Sequence, residues 1–264
     1  LVSGGCPSLK ETTNMRELDF LLAQIDALKM RLDAAPPLTS KQLQQALDIE
    51  YTYESNRIEG NALTLRETDL VVNKGLTVGG KSMREHLEAI NHYEAILYIR
   101  ELATHGGILD EREVRNIHAL ILRGIDRDNA GHYRRLPVMI SRSRHVPPQP
   151  WAVPQLMEDY GIWLAGASSN LHPVLRAAEA HERLVTIHPF IDGNGRTSRL
   201  VMNLILLSHG YAIANIPGDT DSRRAYYDAL EKSNLEADKS VFITLIAGHV
   251  LHGMQTLLEG LGHG

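Results

Sequence analysis

The chain is poor in the features that would place it in several large classes. It has one cysteine, Cys6, in 264 residues, which excludes an internal disulfide framework and any multi-cysteine zinc site. Positive charge is not in excess: the formal charge is −5 and the isoelectric point about 6.2, which argues against a generic nucleic-acid surface. No apolar run approaches the roughly 20 residues that a membrane span needs. The first residues lack the charged, apolar and small segments of a signal peptide. There is no internal repeat or low-complexity tract. These absences lead to the expectation of a soluble, cytoplasmic protein with neither a nucleic-acid nor a membrane partner. What is present is a hydrophobic content of 43%, enough to bury the core of one domain with extensions, or of two small ones.

Helix signals dominate. Residues 1–14 show little periodicity and open on Leu1, so they are set aside as a disordered segment, an expression remnant or a processed end, with Met15 a candidate native start. Leu18, Leu21, Leu22, Ile25, Leu28 and Leu32 recur on one helical face, and Pro36 and Pro37 end that helix. A second helix is expected from about Ser40 to Glu59, stopped by Gly60 and Asn61. Thr64 with Glu67, and Ser82 with Glu85, are capping boxes. The second of these opens a long helix that ends at Gly106 and Gly107. Further helices are expected from Asp110 and from about Pro154, Pro173, Gly195, Ser222 and Asp238. The exception is 135–150, where short apolar stretches flank a turn-like Ser141–Arg144 and precede prolines; it reads as a small β-hairpin or extended flap. The expected fold is all-α with one hairpin.

The chemistry concentrates in one run, His188-Pro-Phe-Ile-Asp192-Gly-Asn-Gly-Arg196-Thr-Ser-Arg199, between two apolar stretches. A neutral His188 could take a proton from an incoming hydroxyl. Asp192 in a glycine-rich loop suits Mg2+, which prefers one or two carboxylates plus phosphate oxygens. Gly193, Asn194 and Gly195 let backbone N–H groups turn toward an anion at a helix N-terminus. Arg196 and Arg199 oppose the helix dipole there and call for an anionic partner. No P-loop and no Gly-x-Gly-x-x-Gly after a strand is present. His181 and Glu182 hint at a zinc-protease helix, but Val185 stands where the second histidine would be.

This run resembles the signature of the Fic (filamentation induced by cAMP) family at every fixed position, and the likeness extends over roughly 50–252. It implies a Fic-type helical bundle, with N-terminal helices over 15–104 and a catalytic domain over 105–264. The activity implied is transfer of AMP from ATP, with Mg2+, to a Ser, Thr or Tyr hydroxyl of a target protein, releasing pyrophosphate. His188 would then be the general base and Asp192 the metal ligand. Gly193, Asn194 and Gly195 would cradle the phosphates, Arg196 would clamp the β-phosphate and Arg199 would meet the γ-phosphate. The nucleotide contacts implied extend to Thr197 and Ser198, to Arg142, Ser143, Arg144 and His145 of the flap, and to Tyr226, Tyr227 and Asn234. Rival transfers through the same motif are of UMP or phosphocholine; removal of AMP by the same site, or an ATP-sensing module without catalysis, are further alternatives.

Ser55, Glu59 and Gly60 match the family's inhibitory motif. Positions 55 and 59 share a helix face, and the resemblance implies that Glu59 pairs with Arg199 where the γ-phosphate must sit. Separately, the exposed edge of the 136–148 flap, placed just before the motif, is expected to dock the target by adding a strand. Some relatives dimerise through this domain, which leaves a homodimer open.

Overall fold

The structure, a computed structural model, describes residues 9–35, 41–106, 109–140 and 143–262. Among them are ten α-helices: α1 (Leu9–Asp33), α2 (Lys41–Ile58), α3 (Leu65–Lys74), α4 (Met83–His105), α5 (Glu111–Ile121), α6 (Val153–Ala165), α7 (Pro173–Ile187), α8 (Asn194–Ser208), α9 (Thr220–Glu236) and α10 (Ser240–Gly262). Two short 3-10 turns flank α6.

Local chemistry places the boundaries. Both capping boxes form: the Thr64 and Ser82 hydroxyls accept from the Glu67 and Glu85 N–H groups, and those glutamates accept from the cap N–H groups. Asp110 caps α5, and Gly106 ends α4 in the left-handed conformation that glycine adopts without steric cost. Gly60, at φ 95°, stops α2 just after Glu59. Helix α1 starts at Leu9, inside the stretch set aside from sequence; residues 1–8, and the Pro36–Pro37 stop, lie outside the described residues.

Helix α8 is the centre. Every residue from Arg196 to Leu206 is buried, and α7, α4 and α5 pack around it. Ile25 of α1, Tyr51 and Ile58 of α2, Ile96 of α4 and Phe242 of α10 belong to one continuous apolar core. The helix that ends one residue before Glu59 therefore shares its core with the helix that carries Arg199.

Two expectations are corrected. Among the described residues no strand forms, so the segment before α6 is not a β-hairpin in this state. Pro137, Pro147 and Pro148 supply no N–H donors, and the neighbouring polar groups find partners elsewhere. The Arg134 guanidinium donates to the Leu136 and Pro148 carbonyls, and the Arg144 N–H to Glu231. The second concerns apolar length. Ser240–Leu261 of α10, 22 residues, is long and apolar enough to cross a membrane by length and composition. Its histidines and glycines mask this in a strict apolar count, although no Asp, Glu, Lys or Arg precedes Glu259. In the fold, α10 buries Phe242, Ile246, Ala247, Val250 and Met254 and lies along α1.

Candidate active site

Where the end of α2 and the start of α4 approach the N-terminus of α8, they leave a cleft of about 290 Å3. Glu59, Asn61, Arg84, Glu88, Asp192 and Arg196 line it. That volume stands at the lower edge of the roughly 300–1,000 Å3 of small-ligand sites, with Glu59 among the walls.

His188 ends α7 with φ 50° and ψ 58°, and its N–H donates to the Leu184 carbonyl at 3.0 Å. A non-glycine residue there carries strain of about 1–3 kcal/mol. The loop is over-determined enough to hold it. Arg134, 2% exposed, donates from its side chain to the His188 carbonyl (2.8 Å) and from its backbone N–H to the Pro189 carbonyl (2.9 Å). The Asn194 side chain closes the turn from inside, accepting from the Phe190 N–H and donating to the Phe190 carbonyl.

The His188 ring has Nδ1 3.2 Å from the Val185 carbonyl. That contact assigns the proton to Nδ1 and leaves Nε2 as an acceptor. Burial, reinforced by Arg134 and His145, lowers its pKa to about 4, so the imidazole is neutral near pH 7.

Gly193 (φ 78°) caps α8, and a Cβ there would press on Ile121 and His118 at 3.3–3.4 Å. His118 lies beneath this turn. Its Nε2 donates to the Asp192 carbonyl (2.9 Å), its Nδ1 accepts from the Gly131 N–H (2.9 Å), and its ring stacks on Phe190 at 3.6 Å. Burial lowers its pKa to about 4, which keeps it neutral and able to serve both partners.

The Asp192 carboxylate faces the cleft, 43% exposed. Burial pushes its pKa up, but Arg196, the Gly193 N–H and Arg84 outweigh this and hold it below the usual range. Arg196 is 2% exposed and sits 3.7 Å from Asp192 and 3.5 Å from Glu88. Its Nε and Nη1 have no hydrogen-bond acceptor. The first bond of α8 is the one Thr197 donates to the Gly193 carbonyl; the N–H groups of Asn194, Gly195 and Arg196 precede it. Buried guanidinium N–H groups without acceptors beside a helix N-terminus have the chemistry to receive an anion. A single ionised carboxylate at its rim suits a divalent cation shared with phosphate oxygens. No cluster of three or more His, Cys, Asp or Glu able to hold a metal alone exists among the described residues.

Arg199 is buried (1% exposed) and fully engaged. Its Nη2 donates to Glu59 Oε1 (2.8 Å) and the Ser55 carbonyl (2.9 Å), its Nε to Ser55 Oγ (3.0 Å) and its Nη1 to Tyr226 Oη (3.4 Å). Burial works against its charge, yet Glu59 and Tyr226 raise its pKa. A Cβ at Gly195 would run into the Glu59 carboxylate, so the absent side chain lets Glu59 lie on the first turn of α8.

The structure thus gathers His188, Asp192, Gly193, Gly195, Arg196, Arg199, Ser55, Glu59 and Gly60 around one loop and helix end. The other residues named from sequence make the following contacts within the chain. Thr197 and Ser198 are fully buried, with Ser198 bonded back to the Asn194 carbonyl. Tyr226 is buried and pairs with His181 (2.9 Å) and Arg199. Tyr227 is 39% exposed and reaches the Ile58 carbonyl (3.5 Å), and Asn234 accepts from the Thr186 hydroxyl (2.5 Å). Ser143 accepts from the His145 N–H, His145 Nε2 lies 2.9 Å from the Thr186 carbonyl, and Arg144 pairs with Glu231. Arg142 lies outside the described residues. The sequence alone gives no role to His118, Arg134, Arg84 or Glu88. Single charged residues on helix faces carry no spacing signal, so only their tertiary contacts mark them.

Residues 108–206 match the model of the Fic/DOC family. The chain is 36% identical over 238 residues, 90% of its length, to the protein adenylyltransferase Fic of Drosophila persimilis, and it spans 46% of that protein. Its fold resembles Fic-1 (residues 134–508) of C. elegans, with a TM-score of 0.82, 27% identity, and 97% of this chain and 74% of that one covered. It also resembles a Fic domain containing signaling protein of Bacteroides thetaiotaomicron, with a TM-score of 0.83, 25% identity, and 92% and 97% covered.

Proposed function

The chain carries a Fic/DOC-family domain, and from that premise we propose that it is an autoinhibited protein adenylyltransferase, moving AMP from ATP to a Ser, Thr or Tyr hydroxyl of a target protein. The observation that carries this reading is the contact of Glu59 with Arg199 beside the unfilled hydrogen-bonding capacity of Arg196. A carboxylate stands where a phosphate would find its guanidinium partners.

In this reading the target hydroxyl attacks the α-phosphorus, pyrophosphate leaves, and the hydroxyl proton passes to His188 Nε2. A bound triphosphate would raise the His188 pKa toward the working range, because nearby negative charge favours the imidazolium. Asp192 would hold Mg2+, which when bound neutralises charge on the phosphate oxygens. Arg196 and the first N–H groups of α8 would hold the phosphates in place, and Arg199 would take the γ-phosphate once Glu59 has left. Such transfer is mainly positioning and charge neutralisation. The family's spread of activities makes UMP and phosphocholine transfer, and AMP removal, the outcomes to be told apart.

The 136–148 segment would dock the target. Leu136, Met139 and Val146 are 66%, 93% and 77% exposed, and an extended target segment could pair with the backbone beside them, completing the hairpin that is unformed without it.

The test is incorporation of label from α-labelled ATP into a cell lysate by the Glu59→Gly protein, with labelled UTP and CDP-choline run in parallel. Labelled protein bands from ATP alone, lost on adding His188→Ala, support the reading. Label from UTP or CDP-choline in preference to ATP would replace the donor, and label that survives His188→Ala would remove the base.

A further inference from the structure

Each oxygen of Asp192 accepts a hydrogen bond from the chain itself. Oδ1 accepts from the Gly193 N–H at 2.6 Å, and Oδ2 accepts from Arg84 Nη2 at 2.5 Å. The first partner is the adjoining backbone. The second comes from 108 residues away in sequence, from the first turn of α4, whose position the Ser82–Glu85 capping box fixes. A cation approaching Asp192 from the cleft would meet a guanidinium already on the outward oxygen.

Arg84 is also able to leave. Its side chain is 57% exposed, and its Nε is held separately by Glu88 Oε1 at 3.1 Å. Glu88 is the fixed point: 12% exposed, it accepts from Asn61 Nδ2 at 3.0 Å with Oε2, and its Oε1 lies 3.5 Å from Arg196 Nη1. Arg84 can therefore release Asp192 without losing its own anchor. Because a guanidinium keeps its charge at any pH the protein meets, Arg84 remains a rival for Asp192 whenever a cation approaches.

We propose that Arg84 is an internal competitor for the divalent-cation position on Asp192, a second restraint on nucleotide engagement that acts independently of Glu59. The inference rests on the metal role given to Asp192 above. The two restraints cover different parts of the same ligand: Glu59 covers the guanidinium of Arg199, and Arg84 covers the carboxylate of Asp192. Releasing Glu59 alone leaves Arg84 still competing at the metal half of the site. The concentration of divalent cation at which the nucleotide is held productively is then set by an exposed arginine of this chain.

A competing reading is that Arg84 orients Asp192 for the metal. The two readings give opposite signs. Competition means that removing the arginine tightens metal binding; orientation means that removing it weakens binding.

The experiment is Mn2+ titration of the full chain followed by water-proton relaxation enhancement, which reports protein-bound Mn2+, with a non-transferable ATP analogue saturating. Three proteins are compared: Glu59→Gly, Glu59→Gly with Arg84→Gln, and Glu59→Gly with Asp192→Ala. Since an exposed ion pair is worth at most about 1 kcal/mol, the Arg84→Gln change should lower the apparent Kd for Mn2+ by about 2- to 5-fold, while Asp192→Ala abolishes the enhanced signal. Arg84→Lys, a flexible point charge without the planar fork, should fall between. An unchanged or higher Kd with Arg84→Gln overturns the competition while leaving the metal role of Asp192 standing. An undiminished signal with Asp192→Ala removes that role, and the inference goes with it. Thermal melting of each variant verifies folding; exposed Arg84 contributes little to the core.

Discussion

Glu59 Oε1 and Arg199 Nη2 lie 2.8 Å apart, and the two ends of the pair differ in environment: the Arg199 side chain is 1% exposed and that of Glu59 31%. The arginine is a fixed, buried cation with Ser55 and Tyr226 as further partners; the glutamate is the movable end. It follows Ile58, the last residue of α2, and precedes a left-handed glycine. Glu59 can therefore withdraw without unwinding a helix.

Replacing Glu59 with Gly should raise ATP affinity at fixed metal. Holding a site 99% closed requires roughly 2.7 kcal/mol and lowers apparent affinity about 100-fold. A buried pair costs about 3–5 kcal/mol to break, and partial exposure of Glu59 brings its share below that. The expected gain is about 10- to 100-fold, measured by calorimetric titration of a non-transferable ATP analogue. A gain under about twofold would mean that Glu59 does not restrain the site.

His118→Ala should be costly although it is remote from the base. It strands the Gly131 N–H and the Asp192 carbonyl, each worth about 1–3 kcal/mol when left unpaired, and frees the turn that aims Asp192. Denaturant unfolding should show a loss of about 2–6 kcal/mol. Mn2+ affinity should fall as well, and an intact metal response in a destabilised protein would assign His118 to stability alone.

The pH dependence of transfer should be shifted to acid. His188 in the free protein titrates at about 4 because it is buried, and the base is competent above that pKa. In the Glu59→Gly protein, kcat/KM for target labelling should stay level from pH 7.5 to 5.5. An unperturbed histidine would instead lose about 10-fold over that range, with its midpoint near 6.5. A half-loss at about pH 6.5 would show an ordinary imidazole.

Stability should also fall toward acid. Burial depresses the pKa values of His92, His118, His181 and His188, with nearby arginines adding to the effect. Between about 6.5, the unfolded value, and the depressed folded values, the unfolded chain binds more protons, so unfolding free energy rises with pH. Each such histidine contributes up to about 1.4 kcal/mol per pH unit below the unfolded pKa. Urea midpoints at pH 7.5, 6.5 and 5.5 should drop progressively, and constant midpoints would contradict the burial of these rings.

The sequence by itself determined the helical class, the capped starts of α3, α4 and α5, the Gly60 stop after Glu59, and the loop that joins α7 to α8. These depend on interactions within a few residues, such as a hydroxyl three positions before a glutamate or a glycine where φ must be positive, and local chemistry leaves a local trace. It also put Ser55 above Glu59 on one helix face. The Fic resemblance implied the pairing of Glu59 with Arg199; tertiary structure decided the rest: that His118 and Arg134 clamp the active loop, and that Arg84 covers Asp192. It decided too that 136–148 stays without a strand and that α10 lies along α1. Those outcomes join residues 54 to 108 positions apart, as in Arg134–His188 and Arg84–Asp192, and further still between α1 and α10, where no spacing rule operates and only tertiary packing selects the partner.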